Sequence, residues 1–147
     1  MAKAAERAMQ QDKTWRQISQ AYTLVTADLE RELFRRHQLR LSEFHALSSL
    51  AEAVEGSLRM QDLADAVALN QSSVTRIVAR LETQGLCERC LCPEDRRGIF
   101  TRIHEAGRRK VAEAAATYHE TVTAACARRG ITIDAEDGGY RLTVAGR

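Results

Sequence analysis

The sequence predicts a mainly helical fold of the α+β class with one small β-hairpin. Apolar residues recur every three or four positions over most of the chain, which is the spacing of helices that are packed on one side. Two short β-prone runs flank a turn-forming segment near residue 95. A length of 147 residues fits one domain, or one domain with a dimerisation arm.

The most informative stretch of the chain begins with a predicted helix after Asn70. The side chain of Asn70 can cap a helix N-terminus. The apolar residues that follow lie on one side of this helix, namely Val74, Ile77, Val78 and Leu81. The Gln84-Gly85 pair is predicted to end the helix.

A β-hairpin is predicted directly after this helix. The run LCERCLC at residues 86–92 is typical of a short strand, and IFTRIH at residues 99–104 is typical of a returning strand. The sequence PEDRRG between them indicates a tight basic turn. A helix followed by a basic hairpin is a winged-helix arrangement. The short helix predicted at Gln61–Val67 completes the order of a helix-turn-helix motif.

The polar side of the helix after Asn70 is the candidate DNA-binding surface. Its side chains are short donors and acceptors near the helix N-terminus and two guanidinium groups: Gln71, Ser72, Ser73, Thr75, Arg76 and Arg80. Such groups suit base edges and phosphates. The formal net charge of the chain is only +2, but residues 68–110 contain nine basic and five acidic residues. Positive charge is therefore concentrated around this surface.

Residues 41–107 resemble the MarR family of bacterial transcription regulators without a gap. The resemblance rests on LSEFHALSSLAEAV, on LRMQDLADAVALNQSSVTRIVARLETQGL and on the wing sequence PEDRR. It implies a winged helix-turn-helix DNA-binding domain in which Asp95 and Arg97 match an Asp-x-Arg pair at the wing tip. In that family the pair orients an arginine that enters the DNA minor groove, and we expect Arg96 between them to contact DNA as well. Residues that depart from the family pattern are Arg59, Cys92 and His104.

The resemblance also implies a homodimer that binds a pseudo-palindromic double-stranded DNA operator as a repressor. We therefore expect an N-terminal dimerisation helix at residues 1–40, the winged domain at 41–105, and a C-terminal dimerisation helix with an uncertain tail at 106–147. The first helix, predicted to begin near Thr14, carries an apolar stripe: Trp15, Ile18, Tyr22, Val25, Leu29 and Leu33. An intersubunit helix and an ordinary core helix both remain possible for this stripe.

Local signals predict several further boundaries. Ser42 is the expected cap of the second helix, which Gly56 ends, and Leu58 is expected in a very short strand. The last long helix is predicted at Gly107 to Arg129. The tail ITIDAEDGGYRLTVAGR alternates weakly between apolar and polar residues. This pattern leaves open either a short or absent sixth helix or an irregular tail.

The family resemblance implies a possible small aromatic effector as a further partner. Similar proteins hold phenolic or other aromatic effectors in a crevice between the dimerisation arm and the winged domain. Tyr22, Phe44 and His45 are the candidate lining residues in this sequence. All three also suit ordinary core positions.

The cluster Cys87-x-x-Cys90-x-Cys92 supports an alternative function as a redox- or metal-sensing module. A zinc site would need a further ligand such as His104 or Cys126. Strand alternation opposes that site because it directs Cys87 away from Cys90 and Cys92, so we assign no metal ligands. Cys90 and Cys92 are redox candidates because nearby arginines favour a thiolate. Absence of any role is the third interpretation.

Catalysis and membrane insertion find no support in the sequence. The chain contains no phosphate-binding loop, Gly-x-Ser-x-Gly elbow or His-Glu-x-x-His pair. No apolar run has the length of a membrane span, and the N-terminus lacks the apolar segment of a signal peptide. We expect a cytoplasmic protein that is not an enzyme, uses no cofactor and keeps its cysteines reduced.

Overall fold

The computed structural model describes residues 1–91, 98–136 and 139–144. The helices of these residues are α1 (Ala2–His37), α2 (Leu41–Glu52), α3 (Met60–Ala66), α4 (Gln71–Thr83) and α5 (Glu105–Arg128), with a 3-10 turn at Val54–Gly56. The strands are β1 (Ser57–Arg59), β2 (Cys87–Leu91), β3 (Ile99–Ile103), β4 (Ile131–Glu136) and β5 (Gly139–Val144). Contacts divide the chain into a winged unit, Leu33–Thr117, and a terminal unit, Met1–Glu32 with Tyr118–Arg147.

The core of the winged unit lies between three helices and a three-stranded antiparallel sheet. Helices α2, α3 and α4 contact one another and the sheet, whose strand order is β1-β3-β2. The side chains without solvent exposure include Leu47, Leu50, Leu63, Val74, Val78 and Leu81. The predicted α+β class and its winged helix-turn-helix arrangement are confirmed.

Both ends of α4 follow the local signals in the sequence. The Asn70 side chain accepts a hydrogen bond from the backbone N–H of Ser73 at 2.8 Å, which caps the helix. The helix ends at Thr83, and Gly85 adopts a φ of +69°, a conformation that favours glycine. The prediction for this helix is therefore confirmed at both termini.

The start of α2 differs from the predicted start. The helix begins at Leu41 with Arg40 as the preceding cap residue, so Ser42 lies inside the first turn and is not the cap. The side chain of Glu43 makes the reverse contact of a capping box: its Oε2 accepts the backbone N–H of Arg40 at 2.9 Å. The helix also ends at Glu52, before the 3-10 turn that contains Gly56.

Helix α5 begins at Glu105 rather than at Gly107. The backbone N–H of His104 donates to the carbonyl oxygen of Leu86 at 2.9 Å, which joins the helix start to the residue before β2. A Cβ atom on Gly107 would overlap that same carbonyl oxygen. Glycine is therefore needed at this position for close packing, and the sequence prediction misread it as a helix boundary.

In the terminal unit, α1 begins at Ala2, whereas the sequence predicted a start near Thr14. Residues 2–13 lack a periodic apolar face, but alanine, lysine, glutamate, arginine and glutamine have high helix propensity. Propensity extends the helix beyond its apolar stripe. None of the described helices combines the length and the apolar character that crossing a membrane requires.

Asp28 joins α1 to the end of α5 within the terminal unit. Its carboxylate accepts hydrogen bonds from Arg31 at 2.8 Å, from Arg128 at 2.9 Å and from Arg129 at 3.0 Å. The guanidinium of Arg31 contributes most to lowering the pKa of Asp28, against the opposing effect of burial. Asp28 is therefore ionised at neutral pH and fixes the two helix segments to each other.

The tail forms a β-hairpin of β4 and β5, a structure that neither sequence alternative specified. Ile133 pairs with Leu142, and Asp134 pairs with Arg141 in the antiparallel register. β-branched residues are frequent in this segment and favour strands. No sixth helix is present among the described residues of the tail.

A buried carboxylate connects α2 to α4 in the winged unit. Oε1 of Glu43 accepts a hydrogen bond from Nε of Arg80 at 2.8 Å. The Glu43 side chain is only 3% exposed, whereas that of Arg80 is 45% exposed. A buried charge is costly unless it is paired, so this contact fixes the two helices together.

A second carboxylate connects α4 to the wing. Glu82 accepts the backbone N–H of Arg89 at 2.7 Å and Nε of the same residue at 2.9 Å. The Arg89 guanidinium lowers the pKa of Glu82, which keeps this carboxylate charged at neutral pH. The C-terminal half of α4 is therefore held from both sides.

Replacing Arg80 by Ala should lower the free energy of unfolding by about 1 to 3 kcal/mol, because Glu43 would lose its charged partner. The losses in Arg80→Ala and Glu43→Ala should not add in the double variant, since each single change already removes the contact. Urea unfolding of the four proteins measures this coupling. Additive losses would contradict an energetic link between the two side chains.

Candidate nucleic-acid interface

The polar side of α4 is open to solvent over its first two turns. Five of the predicted DNA-binding residues are exposed: Gln71, Ser72, Thr75, Arg76 and, in the third turn, Arg80. Ser73 is half-buried, and its backbone N–H is engaged by the Asn70 cap. The opposite side of the helix is buried at Val74, Ile77 and Val78. The helix thus has one packed face and one polar face.

Local hydrogen bonds order the hydroxyl groups at the start of this face. The Ser72 hydroxyl donates to Oδ1 of Asn70 at 2.8 Å, and the Thr75 hydroxyl donates to the carbonyl oxygen of Gln71 at 2.9 Å. Each hydroxyl retains its lone pairs as acceptors. Both groups can therefore accept a hydrogen bond from a ligand without losing their internal contacts.

The two arginines of α4 differ in their surroundings. Arg76 is exposed and forms no hydrogen bond or ion pair with any residue that the structure describes. Arg80, expected at the edge of the polar face, is exposed but gives its Nε to Glu43. All the donors of Arg76 are available to a ligand, whereas those of Arg80 are available only in part.

The base of the predicted wing is the β2–β3 hairpin. Cys90 pairs with Phe100, and the guanidinium of Arg59 lies 5.2 Å from the centre of the Phe100 ring. Arg59 also precedes α3 without making a cap hydrogen bond through its side chain, as its residue type predicts. The wing-tip residues Asp95, Arg96 and Arg97 lie outside the described residues.

The cysteines of β2 have different environments. Cys87 is buried, and burial, together with the nearby carboxylate of Glu82, raises the pKa of its thiol to about 12. It therefore stays a neutral thiol. Its burial, beside the half-buried Cys90, agrees with the strand alternation that directs the two side chains to different faces. Cys90 is a half-buried free thiol, and Cys92 lies outside the described residues. Among the described residues, no three histidine, cysteine, aspartate or glutamate side chains are placed to hold a metal ion.

The candidate effector residues belong to different units of the chain. Tyr22 lies in the terminal unit and is 70% exposed. Phe44 is buried in the winged unit, and its ring centre lies 6.2 Å from that of the half-buried His45. Burial lowers the pKa of His45, so its imidazole is neutral at neutral pH. Phe44 has the environment of a core residue.

Sequence reasoning missed Glu43 and Glu82, the two carboxylates that hold α4. Glu43 lies three residues after the cap position of α2, which is the acidic position of a capping box. That signal was obscured because the cap residue is Arg40 rather than serine or threonine. The contacts of these carboxylates with Arg80 and Arg89 depend on the folded chain.

Known proteins share sequence with the winged unit. The model of the MarR family matches residues 39–99. The HTH-type transcriptional regulator MhqR of Bacillus subtilis (strain 168) is 31% identical over 90 residues, which are 61% of this chain and 60% of MhqR. The matched region thus spans less than two thirds of that relative.

Solved structures share the fold over a larger part of the chain. Sco3205, a MarR family transcriptional regulator from Streptomyces coelicolor solved in complex with DNA, has 30% identity and a TM-score of 0.75. The match covers 82% of this chain and 76% of Sco3205. CouR from Rhodococcus jostii RHA1, solved with bound p-coumaroyl-CoA, has 29% identity and a TM-score of 0.63 over 76% of this chain and 73% of CouR. Since Sco3205 is 30% identical over most of both proteins, the chain belongs to the MarR family.

Proposed function

We propose that this chain is a sequence-specific DNA-binding transcription regulator, and not an enzyme, that represses its target genes. The observation that carries the proposal is the polar face of α4, on which Arg76 is exposed without a partner among the described residues while the opposite face is buried. A helix of this kind suits the DNA major groove. The structure of the family member Sco3205 in complex with DNA supports the same function.

Each group of the interface has a proposed role. Arg76 forks onto the O6 and N7 atoms of a guanine, and Gln71, Ser72 and Thr75 bind base edges or phosphates near it. Arg80 binds a phosphate. In the wing, Arg97 enters a narrow minor groove, where Asp95 holds its guanidinium in place. Arg96 contacts the DNA backbone. These wing roles rest on the sequence motif alone.

A homodimer would place two such helices on a pseudo-palindromic operator. Apolar side chains of α1 that are exposed in the single chain include Met9, Trp15, Tyr22 and Leu24. Exposed large apolar groups spread along one long helix are typical of a surface that another chain covers. Leu29, by contrast, is only 3% exposed within the single chain and is not available to a partner.

We propose that a signal releases the DNA by favouring a different separation of the two DNA-binding heads. A small aromatic effector is one candidate signal, supported by CouR, which was solved with p-coumaroyl-CoA. Oxidation at Cys90 or Cys92 is the other, and the burial of Cys87 removes that residue from it. An effector and DNA would weaken each other's binding by the same factor. Oxidation would instead act by displacing the wing.

Replacing Arg76 by Ala should cost about 1 to 3 kcal/mol of sequence-specific binding, because the guanine contact is lost. Thermal stability should change little, since Arg76 is exposed and forms no hydrogen bond or ion pair with a described residue. The probe is a duplex enriched by the wild-type protein from a random library, and a gel shift measures affinity. Lys3→Ala removes one exposed positive charge elsewhere and serves as the control. Equal affinities of Arg76→Ala and wild type would count against the function.

Replacing Trp15 by Glu should shift a dimer towards monomers at micromolar concentration, because a charge would have to be buried between subunits. The Trp15 side chain is 66% exposed in the single chain, so the change should leave the folded protomer intact. Sedimentation velocity measures the oligomeric state. Gln20→Glu adds the same charge at an exposed polar position of α1 and is the matched control. A wild-type monomer that binds a full palindrome would refute the dimer.

A further inference from the structure

Arg80 is held at only one end of its guanidinium group. Its Nε–H donates to Glu43 at 2.8 Å, and Glu43 is the only described residue that binds this side chain. A guanidinium carries four further N–H donors on its two terminal nitrogens. Because the side chain remains 45% exposed, these terminal donors are accessible to a ligand.

Glu43 is itself fixed in place. Its side chain is 3% exposed, and its second oxygen, Oε2, accepts the backbone N–H of Arg40 at 2.9 Å. Each carboxylate oxygen therefore has its own donor, one from the start of α2 and one from α4. Rotation of the carboxylate would break both contacts, so Glu43 is a rigid anchor for Arg80.

We propose that Glu43 is a positioning residue, which orients Arg80 so that its terminal nitrogens bind a DNA phosphate. The proposal rests on the proposed function and deepens it. An unrestrained arginine loses side-chain entropy when it binds, whereas the anchored Arg80 has already lost that freedom on folding. A planar guanidinium can serve a carboxylate through Nε and a phosphate through its terminal nitrogens at once.

The negative charge of Glu43 acts against this benefit. A carboxylate close to the phosphate site lowers the local positive potential, which by itself weakens binding. Orientation and charge thus have opposite effects on DNA affinity. A variant that keeps the hydrogen bond to Arg80 and removes the charge separates them. Glu43→Gln is that variant, because its amide oxygen can still accept from Nε of Arg80. Its amide nitrogen then faces the backbone N–H of Arg40, so the variant gives up the contact at the start of α2 and keeps the one to α4.

The test is DNA affinity over a series of salt concentrations, with the duplex selected by the wild-type protein. Arg80→Gln can still donate to Glu43 but lacks the charge, and it should lower the slope of log affinity against log salt by about 1. Glu43→Ala frees Arg80, and affinity should fall about 2- to 12-fold, the cost of ordering one flexible side chain on binding. Glu43→Gln should bind as tightly as wild type or more tightly.

Three results would overturn the proposal. An unchanged salt slope in Arg80→Gln would mean that Arg80 binds no phosphate. Wild-type or tighter binding by Glu43→Ala would mean that Glu43 only shields charge. Equal losses in Glu43→Ala and Glu43→Gln would mean that Glu43 acts through the stability of the domain. Failure of the wild type to enrich any duplex would instead refute the proposed function itself.

A further variant keeps the proposal testable if Glu43→Ala does not fold. Arg80→Lys preserves the charge but has a single nitrogen, so a contact with Glu43 draws that nitrogen away from the phosphate. Its affinity and salt slope should fall as in Arg80→Gln. Retention of the wild-type slope by Arg80→Lys would overturn the proposal. Circular dichroism of every variant verifies that the compared proteins are folded.

Discussion

The buried carboxylate of Glu43 is the contact on which the geometry of the winged unit depends. It satisfies the N-terminus of α2 through Arg40 and holds α4 through Arg80. If either partner is lost, the buried carboxylate is left without full compensation, which destabilises the folded protein. Glu82 holds the other side of α4 to the wing through Arg89. The polar face of α4 is therefore presented by a helix fixed on two sides, and precise contacts require such support.

The two arginines of α4 suit different roles because their surroundings differ. Arg76 and Arg80 are four positions apart and so lie near each other on the helix. Arg76 keeps all its donors for a ligand, whereas Arg80 gives one of them to Glu43. The first is suited to fork onto a base, and the second to bind a phosphate from a fixed position. Removing both charges would thus combine two separate effects.

The sequence predicts best where a signal is local. The Asn70 cap, the apolar side of α4 and the Gly85 terminus all lie within one short segment, and all three were found. The cap of α2 was misassigned to Ser42. Gly107 was misread as a helix start, whereas glycine is needed there because the backbone of Leu86 lies too close for a side chain. Contacts between distant positions, such as 43 and 80, leave no periodic pattern. Strand pairing in the tail likewise depends on the matching of two separate segments, 131–136 and 139–144.

Selection of bound duplexes from a random-sequence library by the wild-type chain tests the central claim most directly. If two fixed α4 helices read successive major grooves, the enriched sequences should contain two inverted half-sites with centres about 10 base pairs apart. Footprinting on an enriched duplex should show protection over both half-sites. Enrichment of one half-site alone, of direct repeats or of no sequence would contradict a dimer that reads a pseudo-palindromic operator.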